Sequence, residues 1–393
     1  MTHRIRPQRA RGVKLVSRRL VVTFALYVLL GLPEGVLGTA WPQIQTTFGR
    51  EINGLSSVIV AYTLAYLVST FGSGRLTELF GVERGTQIGA GLTTAGLVGY
   101  VLSPAWPLFL LSALVIGAGA GTVDSVVNAD IAVRYGQRVM HLLHASFGIG
   151  ATLGPLLVAS LVSAGVSWRL AYGALAVSES LLLLSLFTLA DQRAAELDTD
   201  SLQSRAASAA RPNLALAATL VYFGIYVGAE VSAGQWSYSI LTNDRGLSGF
   251  VAGFAVAGYW FGLTVGRLAL SALDHRLAEM TLLRSASVVS VLAAIWFWID
   301  IPGSTLALPV LGFAFAGIFP SLVLLTPGWL GARRVARAVG YQLAASSAGA
   351  IIVSLAIGRV AKNNGLDAVP ATFVVLCILM AVAHVFTEWA TRP

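Results

Sequence analysis

The sequence predicts an all-α membrane protein of twelve spans, arranged as two halves of six. Three observations carry this. Of 393 residues, 56% are hydrophobic and only 11% charged, with a mean hydropathy of +0.76. Apolar runs of span length recur twelve times between charged or Gly/Pro-punctuated breaks. Basic residues concentrate on alternate loops. A soluble domain carries about 25% charged residues, and water would not tolerate this much apolar surface on a soluble fold.

A hydrocarbon core about 30 Å thick takes about 20 helical residues to cross. On that length the first half spans the bilayer at 20–44, 54–74, 85–103, 107–132, 141–165 and 168–190. The second half does so at 213–240, 249–271, 281–299, 304–328, 337–360 and 368–390. The first 20 residues, MTHRIRPQRARGVKLVSRRL, hold seven basic residues and no acidic one. No small-residue cleavage site closes the next apolar run, so the segment reads as a retained basic tail. The longest polar interval, ADQRAAELDTDSLQSRAASAARPN, has the mixed composition of a linker. The expected division is therefore a tail at 1–19, a first half at 20–190, a linker at 191–212 and a second half at 213–393.

With the N-terminus inside, the inner segments hold 21 of the 26 Lys and Arg residues. Arg50, Arg169, Arg245, Arg359 and Lys362 fall outside. That asymmetry places both termini in the cytoplasm of a chain embedded in the cell's inner (plasma) membrane. The lone cysteine, Cys377, excludes a disulfide framework. No nucleophile–base pairing or phosphate loop is evident, and His141 and His144 have no acid beside them. The chain is therefore expected to be no enzyme, with no metal and no cofactor. Its expected partners are a small-molecule substrate, protons and lipid, not nucleic acid, with the chain acting as a monomer.

Four acids fall well inside spans: Glu34, Asp124, Glu179 and Glu230. Each costs about 2.5–3.5 kcal/mol at mid-membrane on insertion scales, so such groups face a cavity or a partner and mark function. No basic residue is expected deep in a span to neutralise them. In GAGAGTVDSVVNADI, Gly117, Gly121, Asp124 and Asn128 form one helical stripe. The glycines admit another helix closely, and the carboxylate and amide continue that face. Asp124 can bind a proton or accept a hydroxyl hydrogen bond, and Asn128 can donate and accept together. Similar stripes are Tyr27, Gly31, Glu34, Gly38 and Trp41 in the first span, and Tyr226, Glu230 and Gly234 in the seventh, followed by Gln235 and Trp236. The fifth span carries His144, Gly148 and Pro155. Asn128, His144, Glu230, Gln235 and Trp236 are the candidate substrate-binding residues. Blander roles stand beside these: Trp41 and Trp236 as interfacial anchors, His144 as a helix–helix hydrogen bond, Glu179 turned into packing beside Ser178 and Ser180.

After the second span, GRLTELFGVER carries Gly74, Glu78, Gly81 and Arg84. It resembles the loop motif of the major facilitator superfamily, with Glu78 at the Asp position and Leu79 where an Arg is usual. The equivalent loop of the second half keeps Gly266 and Arg267. GAGTVDSVVN and GLPEGVLGTAWP are further similar to patterns of the fucose:galactose:proton symporter family. Their acids are exchanged here, Asp124 for Glu and Glu34 for Asp, and Pro33 replaces an Asn. The resemblance implies a twelve-helix facilitator that takes up sugar with protons, with Glu34 and Asp124 coupling proton binding to transport. Three functions remain open: a proton-coupled importer of a sugar or small polyol, a proton-driven exporter of drugs or amphiphiles, and a non-transporting receptor. The polar inventory favours the first.

Overall fold

The computed structural model describes residues 18–135, 137–187, 211–272, 279–330 and 335–392. The basic tail and the interhalf linker lie almost wholly outside the described residues, as does the side chain of His141. The described elements are helices. They begin with α1 (Arg18–Phe48), α2 (Gly54–Leu102), α3 (Trp106–Arg134), α4 (Gln137–Ser163) and α5 (Trp168–Phe187). Then follow α6 (Pro212–Ser239), α7 (Gly249–Ala272), α8 (Glu279–Trp298), α9 (Ala307–Phe315), α10 (Ile318–Leu330), α11 (Val335–Asn364) and α12 (Val369–Ala390).

Eleven helical stretches are long and apolar enough to cross a membrane, and one of them counts twice. The 49 residues of α2 would extend about 75 Å if straight, more than two bilayer cores. The helix folds back at Gly81, where φ is 80° and ψ is 166°, a conformation that only glycine takes readily. Packing on α3 shows the reversal. Tyr62 and Tyr66 of the first arm meet Gly117 and Gly121, so both chains ascend together. Gly85 and Gly96 of the second arm meet Val126 and Ile116, in opposite order. The polar stretch expected to be a loop, 75–84, is thus helical up to Phe80. The tenth span departs too: it breaks between α9 and α10, at Ala316 and Gly317.

Glycines set the helix contacts, and they do so twice. A Cβ on Gly31 or Gly35 of α1 would lie 2.1 or 2.2 Å from a carbonyl oxygen of α4. Between α6 and α11 the tight contact is Gly349 against the Gly224 carbonyl, with Gly228 against Val353 beside it. The first arm of α2 packs on α3 through Gly117 and Gly121, and α7 on α9 through Gly262 and Gly312. The first and fifth spans thus pair as the seventh and eleventh do, and the second and fourth as the eighth and tenth. This is the internal repeat of a two-half fold.

Four of the five basic residues assigned to the outer end are absorbed locally. Arg50 lies 5.4 Å over the Trp106 ring. Arg169 donates to the Ser103 carbonyl at 2.8 Å, beside the end of α2. Arg245 pairs with Asp300 at 3.0 Å, and Lys362 pairs with Glu51 at 2.7 Å. The last of these joins the halves. At the same end Ser56 donates to the Ser354 carbonyl at 2.6 Å, Gly358 packs on Ser56, and Gly253 packs on Ala159. Among the described residues, contacts of this kind between halves run from that end to Gly148 against Thr264 near mid-depth. The end bearing Lys362 is closed.

Candidate functional site

Asp124 sits in α3 where Gly117 and Gly121 draw the first arm of α2 against it, so the sequence stripe delivers a partner as well as a surface. Tyr66 of that arm donates to Asp124 Oδ2 at 2.6 Å. Tyr27 of α1 donates to Oδ1 at 2.9 Å, and Asn128, one turn on, donates its amide to the same oxygen at 2.9 Å. Three helices therefore aim neutral donors at one carboxylate. Asn128 Oδ1 is buried and, among the described residues, accepts from no protein group. The Tyr62 and Tyr66 rings stack with centroids 6.2 Å apart, and His144 of α4 meets the Tyr27 ring edge-on at 6.3 Å.

The second cluster straddles the halves. Gln235 donates to the Glu34 backbone carbonyl at 2.7 Å, and Gly38 presses on the Gln235 backbone. One turn earlier on these neighbouring helices, the Glu34 and Glu230 carboxyls come within electrostatic reach of each other. Arg267 of α7 pairs with Glu230 at 3.4 Å, the two side chains 21% and 14% exposed. The expectation that no basic residue reaches the buried acids is therefore wrong. Arg267 belongs to the second half's loop motif but roots inside α7, and its long stem carries the guanidinium to mid-span depth. Tyr259 donates to the Glu230 carbonyl at 2.8 Å.

The candidate residues divide by exposure. Glu34, Asp124, Asn128, His144 and Glu230 are half-buried. Gln235 and Trp236 are 2% and 0% exposed, nearer the closed end. Trp41 and Trp236 are thus core residues and not lipid-facing anchors. Among the described residues their indole nitrogens, like Gln235 Oε1, have no protein partner. Glu179 is 2% exposed and turned into the packing of α5. Gly74, Glu78, Gly81 and Arg84 are exposed. Beside them Arg19 bridges Asp130 at 3.2 Å and Glu83 at 3.6 Å, tying α1, α3 and the second arm of α2.

Sequence reading missed Tyr62 and Tyr66. Their four-residue spacing in AYTLAYLVST matches that of Gly117 and Gly121, the one signal that could have found them.

Comparison with known proteins settles the family. The model of the Major Facilitator Superfamily matches residues 23–309. The chain belongs to that superfamily. It is a multi-pass integral membrane protein of a transporter family, not an enzyme. Among its superfamily relatives, the glucose/mannose transporter GlcP of Bacillus subtilis is 21% identical over 91% of each chain. Bypass of stop codon protein 6 of Saccharomyces cerevisiae is 23% identical over 98% of this chain and 84% of its own. Solved superfamily structures share the fold. The E. coli fucose:proton symporter FucP superposes with a TM-score of 0.64 at 16% identity, covering 97% of this chain and 100% of its own. The inward open xylose transporter XylE from E. coli gives 0.71 at 14% identity, covering 95% and 96%.

Proposed function

We propose that this chain is a secondary active transporter that takes up a sugar or similar small polyol with protons, by alternating access. One observation carries the reading: an acceptor left without a protein partner among the described residues, Asn128 Oδ1, sits beside a carboxylate ringed by hydroxyl and amide donors. Buried polar atoms are ordinarily paired. A ligand bearing several hydroxyls supplies the missing donor at Asn128 and can exchange bonds with the ring around Asp124. Gln235 Oε1 and the Trp236 indole nitrogen, buried in this conformation, would offer an acceptor and a donor on the other half once the halves move.

Glu34 and Asp124 are the coupling acids in this reading. Protonation and substrate together favour reorientation of the halves, which is how the gradient does work. Asn128, His144, Glu230, Gln235 and Trp236 bind the substrate, and Gly74, Glu78, Gly81 and Arg84 guide the movement at the opposite end. Both termini and the 191–212 linker face the cytoplasm, the chain lies in the inner membrane, and it works as a monomer. The names of GlcP, FucP and XylE support the sugar assignment.

The test is a melting-temperature screen of purified protein, neutral sugars and polyols against amphiphilic cations. A specific ligand raises the apparent melting temperature by mass action. A shift with a sugar supports the reading. A shift with amphiphilic cations alone would replace it with the exporter.

A further inference from the structure

We propose that Tyr66 is a positioning residue that relays the protonation of Asp124 to the seal between the halves, along the first arm of α2. This rests on the reading of Asp124 as a coupling acid.

The three bonds on Asp124 are not equivalent. Oδ1 accepts from both Tyr27 and the Asn128 amide. An amide N–H donates only, so a proton on Oδ1 would require the Asn128 amide to rotate, whereas one on Oδ2 requires only that the Tyr66 hydroxyl reverse. Oδ2 accepts from Tyr66, whose hydroxyl can donate or accept. A proton arriving at Asp124 therefore goes to Oδ2. A new O–H bond forms there, the carboxylate becomes a neutral acid, and no covalent bond breaks. That oxygen now donates, so the Tyr66 hydroxyl must accept and turn its own hydrogen elsewhere. The other acid in electrostatic reach of that hydroxyl is Glu34. One proton thus alters the hydrogen bonding of Asp124 and the electrostatic surroundings of Glu34 through a single tyrosine.

Tyr66 is also tied to the seal. Ten residues earlier on the same arm, about 15 Å along the axis, Ser56 donates to the Ser354 carbonyl of the other half. Gly358 packs on Ser56, and Glu51 just ahead of the arm pairs with Lys362. The arm moves as one piece because its helix is unbroken between Gly54 and Phe80. A Cβ on Gly121 would lie 2.4 Å from the Tyr66 carbonyl, so the Tyr66 backbone moves only with the arm as it slides on α3. Titratable groups around Asp124 are Tyr27 and Glu34 from α1, Tyr62 and Tyr66 from α2 and His144 from α4.

A buried cysteine reports on the seal. Ser354 is fully buried at the latch, and Ser354→Cys, with Cys377→Ala to remove the native thiol, changes little volume. Its labelling rate with an impermeant thiol reagent is followed through a pH series in proteoliposomes, divided at each pH by the rate at an exposed reference cysteine because the thiolate is the reacting form. The parent rate is expected to change with pH by about 5-fold or more, the low end of usual coupling. Tyr66→Phe should make it flat with pH, as should Asp124→Asn. A parental slope in Tyr66→Phe beside a flat Asp124→Asn overturns the relay and leaves the coupling acid standing. A parental slope in Asp124→Asn overturns both. Should Tyr66→Phe fail to fold, Ser56→Ala tests the far end: fast, pH-independent labelling supports the relay, and a retained slope overturns it.

Discussion

Asp124 accepts hydrogen bonds from Tyr27, Tyr66 and Asn128 on three helices, whereas Glu230 is held by Arg267. The two acids therefore respond differently to loss of a partner. Arg267→Ala strands a half-buried carboxylate, which is costly. It should lower the melting temperature, and Glu230→Gln on top should restore part of the loss. An additive double mutant would show that the 3.4 Å pair contributes nothing. Trp236→Ala tests the ligand side: affinity for the sugar should fall while the protein stays folded. Unchanged affinity with reduced stability would return Trp236 to the core alone. Asp124 and Asn128 were legible because they sit one turn apart on a single helix, where periodicity speaks. Tyr66 and Arg267 were not, because nothing local links residue 66 to 124 or 267 to 230.

At the scale of elements, glycines do most of the positioning, in two distinct ways. Gly81 is needed for its backbone: a Cβ there meets nothing within 4 Å, but φ is +80°. Gly81→Ala should cost about 1–3 kcal/mol through strain alone, read as a lower melting temperature with ligand affinity retained once folded. Gly121 is needed for its missing side chain. Gly121→Ala should push the first arm of α2 off α3 and weaken sugar binding, although the substitution adds one methyl. The spans were legible from apolar length. The continuity of α2 was not, since GRLTELFGVER is polar enough to look like a loop, yet charged side chains at a helix end sit as comfortably in water. The break between α9 and α10 also escaped, because GFAFAGIFPS is apolar throughout.

At the scale of the molecule, the halves close the end that bears Lys362 over the interior carboxylates. The orientation proposed puts the closed end outside. A cysteine replacing Arg205 in the Cys377→Ala background should resist an impermeant reagent added to intact cells, and labelling there would invert the topology. The repeat itself was visible only as two runs of six spans. Its physical basis, the matched glycine contacts of α1 on α4 and α6 on α11, needed the structure, since glycine stripes in sequence do not say which helix they meet. Coupling of a proton to movement of the halves is the central claim, and one comparison in proteoliposomes tests it most directly. Asp124→Asn imitates the neutral acid in shape but cannot release a proton. With the sugar found in the screen, a pH gradient should no longer drive uphill accumulation by this variant, while exchange between equilibrated sides survives at least in part. Accumulation at the wild-type level would contradict the account.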